Sequence, residues 1–416
     1  MLQPITTSFL AHLSLNLFIL ALLVPFSFQR SLPSSPQWNE NKVLNQSIEI
    51  PIFSAGKASS KVLLVPIQLG EPPQTLYLIP DTGSDATWVY CDRLPYRHNN
   101  NFSNHIFSHS RSSTFAPIYC SSPVCTGINH CSSSTRDLCN YAHEYVDGTA
   151  TTGYWATDTV TIKSDKRRLD LKFHGMMFGC SSQDFINLND ADGILGLSPN
   201  HPSFTSHLAP RFGYMFSYFL ASNKGVSNKN LLVFGRTERS GISFEPEQMQ
   251  YTKFIQTNSF FHVEVSGLSF DDVLLDIPKW VWKFDAQNES SGVILDTGTT
   301  FTYVPGVAFQ AIHALYAEFF KPYSNVTVTS SDVCFNSLAP EFDGIQMPRM
   351  AFEFEDGARF VPHEENLFYE DEDGSSCLAI RAIDQSDGSI IGSNLQTGYF
   401  WEYDLLNQRV GFACLV

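Results

Sequence analysis

The sequence predicts a mostly β protein with few helices, built from two related lobes. Three observations lead to this fold class. Apolar and polar residues alternate along several short segments, one segment has a clear helical period, and one motif occurs twice, about half a chain apart. Alternation with a period of two is typical of strands that bury one face. A repeat as long as half the chain indicates a duplicated lobe and not a solenoid.

The strand pattern is clearest in residues 261–266 and 350–354, where apolar residues occupy alternate positions. Turn residues separate the strands, as at Asp147-Gly148 and Asp356-Gly357. Glycine favours such turns because it adopts backbone angles that other residues avoid. The sequence therefore predicts short strands joined by tight turns.

The helical segment begins after Pro305 and ends before Pro322. Proline is typical of helix boundaries because it cannot continue a helix from within. At helical spacing, the predicted buried face consists of Ala308, Ile312, Leu315 and Phe319.

The repeated motif is Asp-Thr-Gly after an apolar approach. Residues 79–84 are Ile-Pro-Asp-Thr-Gly-Ser, and residues 294–299 are Ile-Leu-Asp-Thr-Gly-Thr. Well downstream of each copy, two apolar residues precede a glycine, at 194–196 and at 390–392. A single Asp-Thr-Gly is an ordinary turn. Two copies with matching flanks and matching downstream partners indicate a duplicated site.

Composition excludes two classes of protein. Of 416 residues, 43% are hydrophobic and 16% charged, which is too apolar for a disordered chain and enough for large cores in two or three domains. The formal net charge is -16, whereas nucleic-acid binding requires concentrated Lys and Arg. The one dense basic run, residues 166–168, is flanked by acidic residues and predicts a solvated loop.

Residues 1–24 have the pattern of a secretory signal peptide. An apolar run at 13–24 ends before Pro25 and is short for a membrane span. No Lys or Arg precedes this run, so an anchored N-terminus stays open as the alternative. Residues 25–60 are polar, and we expect a short propeptide or a disordered segment there. We expect no membrane span after signal removal.

Two further features favour an oxidising compartment. The chain has nine cysteines, which is typical of disulfide-bonded proteins outside the cytosol. Four Asn-X-Ser/Thr sequons predict glycosylation at Asn45, Asn101, Asn288 and Asn325. Together with the leader, they predict a secreted or vacuolar protein.

Two carboxylates, one from each lobe, suit a specific chemistry. When such groups are close together, they cannot both ionise and they share a proton. The charged member accepts a proton from a water, and the protonated member donates to a carbonyl oxygen. This chemistry needs no metal, cofactor or covalent intermediate, and we expect none. The glycines let the loops turn tightly, and the threonine hydroxyls are suited to bonding across to the other loop.

The sequence resembles the pepsin-type (family A1) aspartic endopeptidases, and more narrowly their plant nepenthesin-like branch. Besides the two Asp-Thr-Gly loops, the match is carried by residues 84–89, 192–197, 216–218, 232–235, 389–392, 403–404 and 409–413. The resemblance implies a bilobal pepsin-like fold, with two β-barrel-like lobes and the active-site cleft between them. We expect an N-terminal catalytic lobe with a Cys-rich insert and a flap at 61–240, and a C-terminal catalytic lobe at 241–416. The boundary is expected near residues 236–243.

The resemblance makes Asp81 and Asp296 the catalytic dyad, and it implies that Ser84 and Thr299 hydrogen-bond the outer carboxylate oxygens. The other supporting loop residues are Thr82, Gly83, Thr297 and Gly298.

The resemblance also matches Tyr145 to the tyrosine of the flap, a hairpin that closes over substrate, and Trp88 to the tryptophan that holds it. Without the resemblance, Tyr145 is an ordinary hairpin residue and Trp88 an ordinary core residue. The family usually has glycine after the flap tyrosine, whereas this chain has Val146. A β-branched residue is expected to stiffen the flap tip.

The cysteines depart from the family, whose members usually carry more of them. By resemblance, the expected disulfides are Cys120–Cys139, Cys125–Cys131, Cys180–Cys414 and Cys334–Cys377. Cys91 is left over and is expected to be free or intermolecular. The cysteine spacings do not favour a metal site, because they lack a paired two-residue knuckle.

The leading functional interpretation is a monomeric acid endopeptidase that cleaves polypeptides. Its resemblance to the plant nepenthesin-like enzymes implies a location in the apoplast or cell wall, with the vacuole as the alternative. A catalytically silent binding protein on the same fold, such as a glycosidase (xylanase) inhibitor, is the alternative function, although the intact dyad argues against it. A glycosidase is the weakest option, because such enzymes hold their two carboxylates ~5–9 Å apart and nothing in the sequence predicts that separation.

Overall fold

The computed structural model describes the chain between residues 47 and 414, with gaps. The described residues are 47–55, 62–92, 106–128, 131, 137–145, 148, 150–163, 170–184, 188, 191–221, 230–236, 248–257, 260–287, 290–371 and 373–414. Several sequence-based expectations lie outside these residues: the signal peptide, the sequons at Asn45, Asn101 and Asn288, the basic run, Val146 and most of the boundary at 236–243.

The described residues form 29 strands and four α-helices. The strands are β1 Ile48–Ala55, β2 Val62–Leu69, β3 Gln74–Asp81, β4 Trp88–Tyr90, β5 Ala116–Pro117, β6 Asn140–Glu144, β7 Ala150–Ile162, β8 Leu171–Asp184, β9 Gly193–Gly196, β10 Met215–Phe219, β11 Asn230–Phe234, β12 Gln250–Gln256, β13 Phe261–Val263, β14 Val265–Phe270, β15 Val273–Leu274, β16 Phe284–Asp285, β17 Ser290–Ser291, β18 Val293–Asp296, β19 Thr302–Pro305, β20 Val326–Val328, β21 Val333–Phe335, β22 Met350–Phe354, β23 Arg359–Phe360, β24 Phe368–Glu370, β25 Ser376–Leu378, β26 Ile380–Ile383, β27 Ser389–Gly392, β28 Tyr399–Asp404 and β29 Arg409–Cys414. The helices are α1 Pro123–Ile128, α2 Phe204–Leu208, α3 Gly306–Phe320 and α4 Ser393–Gln396.

A six-stranded antiparallel sheet joins the two halves of the chain. Its strand order is β1-β11-β10-β28-β29-β12. Three of its strands come from the half that precedes the expected lobe boundary near residues 236–243 and three from the half that follows it, and they meet at the central pair β10–β28. Phe216 on β10 stacks on Tyr403 of β28 with ring centroids 4.5 Å apart, and both are fully buried. The core therefore continues from one half into the other.

The two halves repeat one strand topology. In the first, β3 pairs parallel with β9, β9 pairs antiparallel with β4, and β4 pairs parallel with β8. In the second, β18 pairs parallel with β27, β27 pairs antiparallel with β19, and β19 pairs parallel with β26. This symmetry confirms the predicted mostly β, bilobal pepsin-like fold.

The predicted helix is α3, and it begins and ends between the two prolines as expected. Its buried residues are Ala308, Phe309, Ile312, Tyr316 and Phe320. The predicted face was therefore wrong in its second half, because Leu315 and Phe319 are only partly buried. The ring of Tyr316 packs edge-on against Phe270 and Phe368. These partners come from distant strands, and they decide which side of the helix is covered.

The strand predictions hold in part. Residues 350–354 form β22 with Met350, Phe352 and Phe354 buried. Residues 261–266 are divided between β13 and β14, and His262, a polar position of the alternation, is buried. The ring of Phe284, 4.3 Å from that of His262, covers it.

The expected start of the N-terminal lobe at residue 61 has to be corrected. Within the segment assigned to a propeptide or disorder, β1 pairs with β11 and β2. Ile48, Ile50 and Ile52 are buried, so their alternation was a strand signal that the prediction passed over. These residues belong to the folded body because they complete one edge of the central sheet.

The disulfide predictions are right for one pair and wrong for three. Cys334 pairs with Cys377 as expected. The other disulfides are Cys91–Cys180, Cys120–Cys131 and Cys125–Cys139, in place of Cys180–Cys414, Cys120–Cys139 and Cys125–Cys131.

The expectation of a free or intermolecular Cys91 is likewise wrong. The parallel register of β4 and β8 places Val89 beside Cys180, and Cys91 follows on the same edge with its Cα 5.4 Å from that of Cys180. Cys414 ends β29, where its Sγ lies 3.5 Å from Nε2 of His363. Strand register, which spacing does not reveal, decides these partners.

Candidate active site

Asp81 and Asp296 are the last residues of two equivalent strands. Asp81 ends β3 beside Gly196 of β9, and Asp296 ends β18 beside Gly392 of β27. A Cβ on Gly392 would lie 2.1 Å from the carbonyl oxygen of Phe301, and one on Gly196 would lie 2.8 Å from the carbonyl carbon of Ala86. The apolar-apolar-Gly segments of the repeat are therefore the neighbours of the two aspartate strands, and their glycines admit a crossing backbone.

The threonines of the two loops bond across to each other. Thr82 N donates to Thr297 Oγ1 at 3.1 Å, and Thr297 N donates to Thr82 Oγ1 at 3.0 Å. The hydroxyls donate onward, Thr82 Oγ1 to Leu295 O at 2.8 Å and Thr297 Oγ1 to Pro80 O at 2.7 Å. Each hydroxyl thus binds the backbone that leads to the opposite aspartate.

Each carboxyl receives the same two local hydrogen bonds. Gly83 N donates to Asp81 Oδ1 and Gly298 N donates to Asp296 Oδ1, both at 2.8 Å. On the outer oxygens, Ser84 Oγ donates to Asp81 Oδ2, and Thr299 Oγ1 donates to Asp296 Oδ2 at 2.5 Å. These contacts are the ones expected for Ser84 and Thr299.

The glycines also allow the two loops to touch. A Cβ on Gly83 would lie 2.7 Å from Cγ of Asp296, and one on Gly298 would lie 2.4 Å from Cγ of Asp81. No side chain fits at either position without moving a carboxyl group. Glycine is therefore required here by close approach.

The electrostatics are those of a buried acid pair. Asp81 is 5% exposed and Asp296 is 7% exposed. Burial raises the pKa of Asp81 well above its ordinary 3.8, and the charge of Asp296 and a hydrogen bond with it raise this pKa further. The hydrogen bonds from Ser84 and Gly83 oppose this rise. The pair therefore retains a proton at a pH at which a lone aspartate would have lost it.

Tyr145 directly follows β6 in the β6–β7 hairpin, where burial and the charge of Asp81 raise its pKa. Trp88 Nε1 donates a 2.7 Å hydrogen bond to its hydroxyl, so the predicted contact between these two residues is present. Trp88 belongs to a buried cluster with Cys125, Cys139 and Tyr141, against which Tyr145 packs. Burial and the charge of Asp81 raise the pKa of Tyr145 well above its usual value, so it is a hydrogen-bonding phenol in acid.

Comparison with known proteins identifies the family of this chain. A sequence-family model described as "Xylanase inhibitor N-terminal" matches residues 64–236, and a second family model, "Xylanase inhibitor C-terminal", matches residues 260–414. Aspartyl protease family protein 2 of Arabidopsis thaliana is 30% identical over 348 residues, which cover 83% of this chain and 69% of that protein. The chain belongs to the pepsin-type plant aspartyl proteases. Aspartic proteinase nepenthesin-1 of Nepenthes gracilis is 29% identical over 357 residues, covering 84% of this chain and 77% of that protein.

Solved structures share the fold of this aspartyl protease family member at lower identity. A crystal structure titled edgp has a TM-score of 0.71 at 18% identity and covers 90% of this chain and 96% of its own. Conglutin gamma, a basic 7S globulin from lupine seeds, has a TM-score of 0.69 at 20% identity and covers 89% of this chain and 95% of its own. Likeness at this identity establishes the fold, and function has to be argued from the site.

The sequence analysis missed a buried hydrogen-bond network next to Asp296. Gln396 Nε2 donates to the carbonyl oxygens of Asp296 at 3.3 Å and Ile391 at 2.6 Å. Gln396 Oε1 accepts from the hydroxyl of Tyr218, which lies 3.3 Å from that of Tyr403. The segments 216–218 and 403–404 contributed to the resemblance without an assigned role, and they were the available signal.

The structure bears on two further expectations, the glycosylation site at Asn325 and the absence of a membrane span. Asn325 is exposed, as a glycosylation site must be, and its Nδ2 donates to Glu341 Oε1 at 2.8 Å. Among the residues that the structure describes, no helix has the length and apolar character needed to span a bilayer.

Proposed function

We propose that this chain is an aspartic endopeptidase that hydrolyses peptide bonds of polypeptides at acidic pH, with Asp81 and Asp296 as its catalytic residues. The observation that carries the proposal is the buried pair of carboxyl groups. Each ends an equivalent strand, each has the same Gly and Ser/Thr donors, and the loops are joined by reciprocal threonine bonds.

The proposed reaction follows from one shared proton. The ionised carboxyl accepts a proton from a water, whose oxygen attacks the peptide carbon. The protonated carboxyl donates to the carbonyl oxygen, so that a neutral tetrahedral diol forms. The carboxyl that took the proton from water then donates it to the leaving nitrogen, while the other carboxylate accepts a proton from a diol hydroxyl, so that the C–N bond breaks, an amine and an acid are released and the dyad is left with its one shared proton. Because the proton belongs to the pair, either aspartate serves as the base in this scheme.

The supporting groups keep the pair in register. Ser84 and Thr299 occupy the outer oxygens, which leaves the inner oxygens directed at water and substrate. Tyr145, held by Trp88, lies on the flap hairpin, and we assign it to covering the bound peptide and excluding solvent.

The test is hydrolysis of a denatured protein by the purified secreted form between pH 2.5 and 7, with and without pepstatin. We expect pepstatin-sensitive cleavage on the acid side, with loss of activity as the pH rises and the dyad loses its shared proton. Asp81→Asn and Asp296→Asn should each lower kcat by more than a thousandfold while thermal unfolding stays cooperative, since either change removes a group from the reaction. Full activity in either variant would contradict the dyad.

The second candidate is a binding protein on the same fold. The observation that favours it is that the two family models matching this chain describe the N-terminal and C-terminal parts of xylanase inhibitors. A folded sample that cleaves no peptide and inhibits a xylanase in a titration would establish this alternative. Cleavage without xylanase binding would reject it.

Secretion to the apoplast or cell wall is part of the proposal, with the vacuole as the alternative destination. N-terminal sequencing of the secreted form is expected to give a first residue beyond the signal peptide at 1–24.

A further inference from the structure

The side-chain amide of Gln396 joins the ends of the two strands that carry the second candidate aspartate. Gln396 is fully buried and is the last residue of α4. Its Nε2 donates to Asp296 O at 3.3 Å, at the end of β18, and to Ile391 O at 2.6 Å, on the neighbouring β27. Because both acceptors are carbonyl oxygens, they also fix which end of the amide is the nitrogen. The reaction described above assigns no role to Gln396.

The remaining groups of Gln396 are held by the central sheet. Its Oε1 accepts from the hydroxyl of Tyr218 on β10, and its backbone carbonyl accepts from Trp401 Nε1 on β28 at 3.1 Å. Both partners are buried. Rotation of the amide would leave buried donors and acceptors unpaired, which is unfavourable. Gln396 therefore connects the central sheet rigidly to the main chain at Asp296.

The two halves of the chain hold their aspartates with different donors. In the first half, the residue after the glycine of the neighbouring strand is Leu197, and its N–H donates to Asp81 O at 2.8 Å. The equivalent residue in the second half is Ser393, and its N–H donates at 2.8 Å to Thr299 O instead. The side chain of Gln396 thus supplies to the second aspartate the support that a backbone N–H supplies to the first.

We propose that Gln396 is a positioning residue, which fixes the main chain at Asp296 and so keeps its carboxyl group against that of Asp81. This inference rests on the proposed protease function. The dyad tolerates little displacement, because a Cβ on Gly298 would already lie 2.4 Å from Cγ of Asp81. Without the amide, the Asp296 loop can shift, and the two carboxyl groups are no longer held where they share a proton.

Loss of this support should also change how the dyad titrates. Burial, then the charge of Asp296 and a hydrogen bond with it, raise the pKa of Asp81. Moving the carboxyl groups apart weakens the last two contributions, so the pKa of Asp81 falls and the pair loses its proton at a lower pH. The network itself does not change charge in acid, because burial raises the pKa of Tyr218 well above 10 and an amide does not titrate.

The experiment compares wild type with Gln396→Met and Gln396→Glu, which keep the length of the side chain. Methionine removes every hydrogen bond of the amide, whereas a protonated glutamate retains one donor and one acceptor. Asn200→Leu is the matched control. Asn200 follows Gly196 by four residues, as Gln396 follows Gly392, but its Nδ2 donates to Thr257 O.

Two readouts are measured between pH 2.5 and 7. The first is kcat and KM on a fluorogenic peptide. The second is the titration midpoint of Asp81, followed by NMR of isotope-labelled aspartate, with Asp81→Asn identifying the signal. Urea denaturation establishes that each variant is folded. A contact that only stabilises the fold would change the urea result without moving the midpoint.

For Gln396→Met we expect kcat about tenfold lower, less than the ~10² of a full 1 Å misplacement. KM should stay within about twofold of wild type, because the amide lies buried and away from substrate. The midpoint of Asp81 should move to lower pH. Gln396→Glu should lie between wild type and Gln396→Met in both readouts, because it retains part of the hydrogen bonding. Asn200→Leu should match wild type.

An Asp81 midpoint that stays at the wild-type pH in the folded Gln396 variants would overturn the inference, as would the same losses in Asn200→Leu. If Gln396→Met does not fold, Gln396→Glu decides. If wild type cleaves no peptide but the midpoint moves in the Gln396 variants, the positioning role stands and the proposed function fails. If wild type is a pepstatin-sensitive protease and the variants keep its kcat and midpoint, the function stands and this inference fails.

Discussion

At the scale of single residues, the candidate site depends on two glycines, because neither has a side chain. Gly83 and Gly298 each face the carboxyl group of the opposite aspartate, and the absence of a side chain lets the loops meet. The threonine bonds and the shared proton both require this approach. In each Asp-Thr-Gly sequence, therefore, the aspartate supplies the carboxyl group, the threonine joins the two loops by hydrogen bonds, and the glycine permits their close approach.

The first prediction concerns Gly298→Ala. Its Cβ would lie 2.4 Å from Cγ of Asp81, so the loops must separate and the carboxyls can no longer share a proton. We expect peptide hydrolysis to fall by about 10²-fold or more, the effect of a 1 Å misplacement of reacting groups. The control is Gly306→Ala at the start of α3, where an added Cβ meets nothing within 4 Å. Equal activity of the two variants would show that the close approach is not required.

At the scale of elements, β13 carries a polar group into the core next to a dyad strand. His262 is 3% exposed and aligns with Ile294 of β18, two residues before Asp296. Neither ring nitrogen has a hydrogen-bond partner in the described structure. Burial lowers the pKa of His262 to about 4, so the folded protein holds this imidazole neutral.

The second prediction is that His262 makes the fold sensitive to acid. The unfolded chain binds a proton near pH 6.5, whereas the folded chain binds it near pH 4, so acidification between these values favours unfolding. The loss reaches about 3 kcal/mol at pH 4 and is absent above pH 7. His262→Leu should reduce the fall in unfolding free energy between pH 7 and pH 4, measured by urea denaturation. His174→Asn, at an exposed position, is the control, and a slope unchanged by His262→Leu would contradict the prediction.

At the scale of the whole molecule, two sets of contacts hold the two halves together. The central sheet joins them through β10 and β28, and the threonine bonds join them again at the dyad. The buried network of Gln396, Tyr218 and Tyr403 lies between these connections. Changes at the dyad loops should therefore affect the stability of the whole fold.

The third prediction is a double-mutant cycle on Thr82→Val and Thr297→Val. Each change leaves a buried N–H and a buried carbonyl without their partner, which costs about 1–3 kcal/mol. The first change already loosens the contact between the loops. The double variant should therefore lose less free energy of unfolding than the two single losses added together, by at least ~0.5 kcal/mol. Urea unfolding measures this. Additive effects would mean that the two halves hold their loops independently.

Much of the fold and site was predictable because it depends on local chemistry. The duplicated Asp-Thr-Gly loops, the downstream glycines, the helix between Pro305 and Pro322 and the β22 strand are all patterns of neighbouring residues. Tyr145 and Trp88 required the family resemblance, because an isolated tyrosine or tryptophan carries no such pattern. The support from Gln396 was not predictable, since a glutamine has no sequence signature for the carbonyls it will bind.

The sequence by itself determined that this is a duplicated β protein with one aspartate loop in each half, because periodicity and repetition are local properties of the chain. Only the tertiary structure decided that Cys91 pairs with Cys180, that β1 completes the central sheet, that α3 buries Tyr316 instead of Leu315, and that His262 is enclosed. Each of these depends on which distant segment packs alongside. Strand register and side-chain packing set that contact, and spacing along the chain does not encode it.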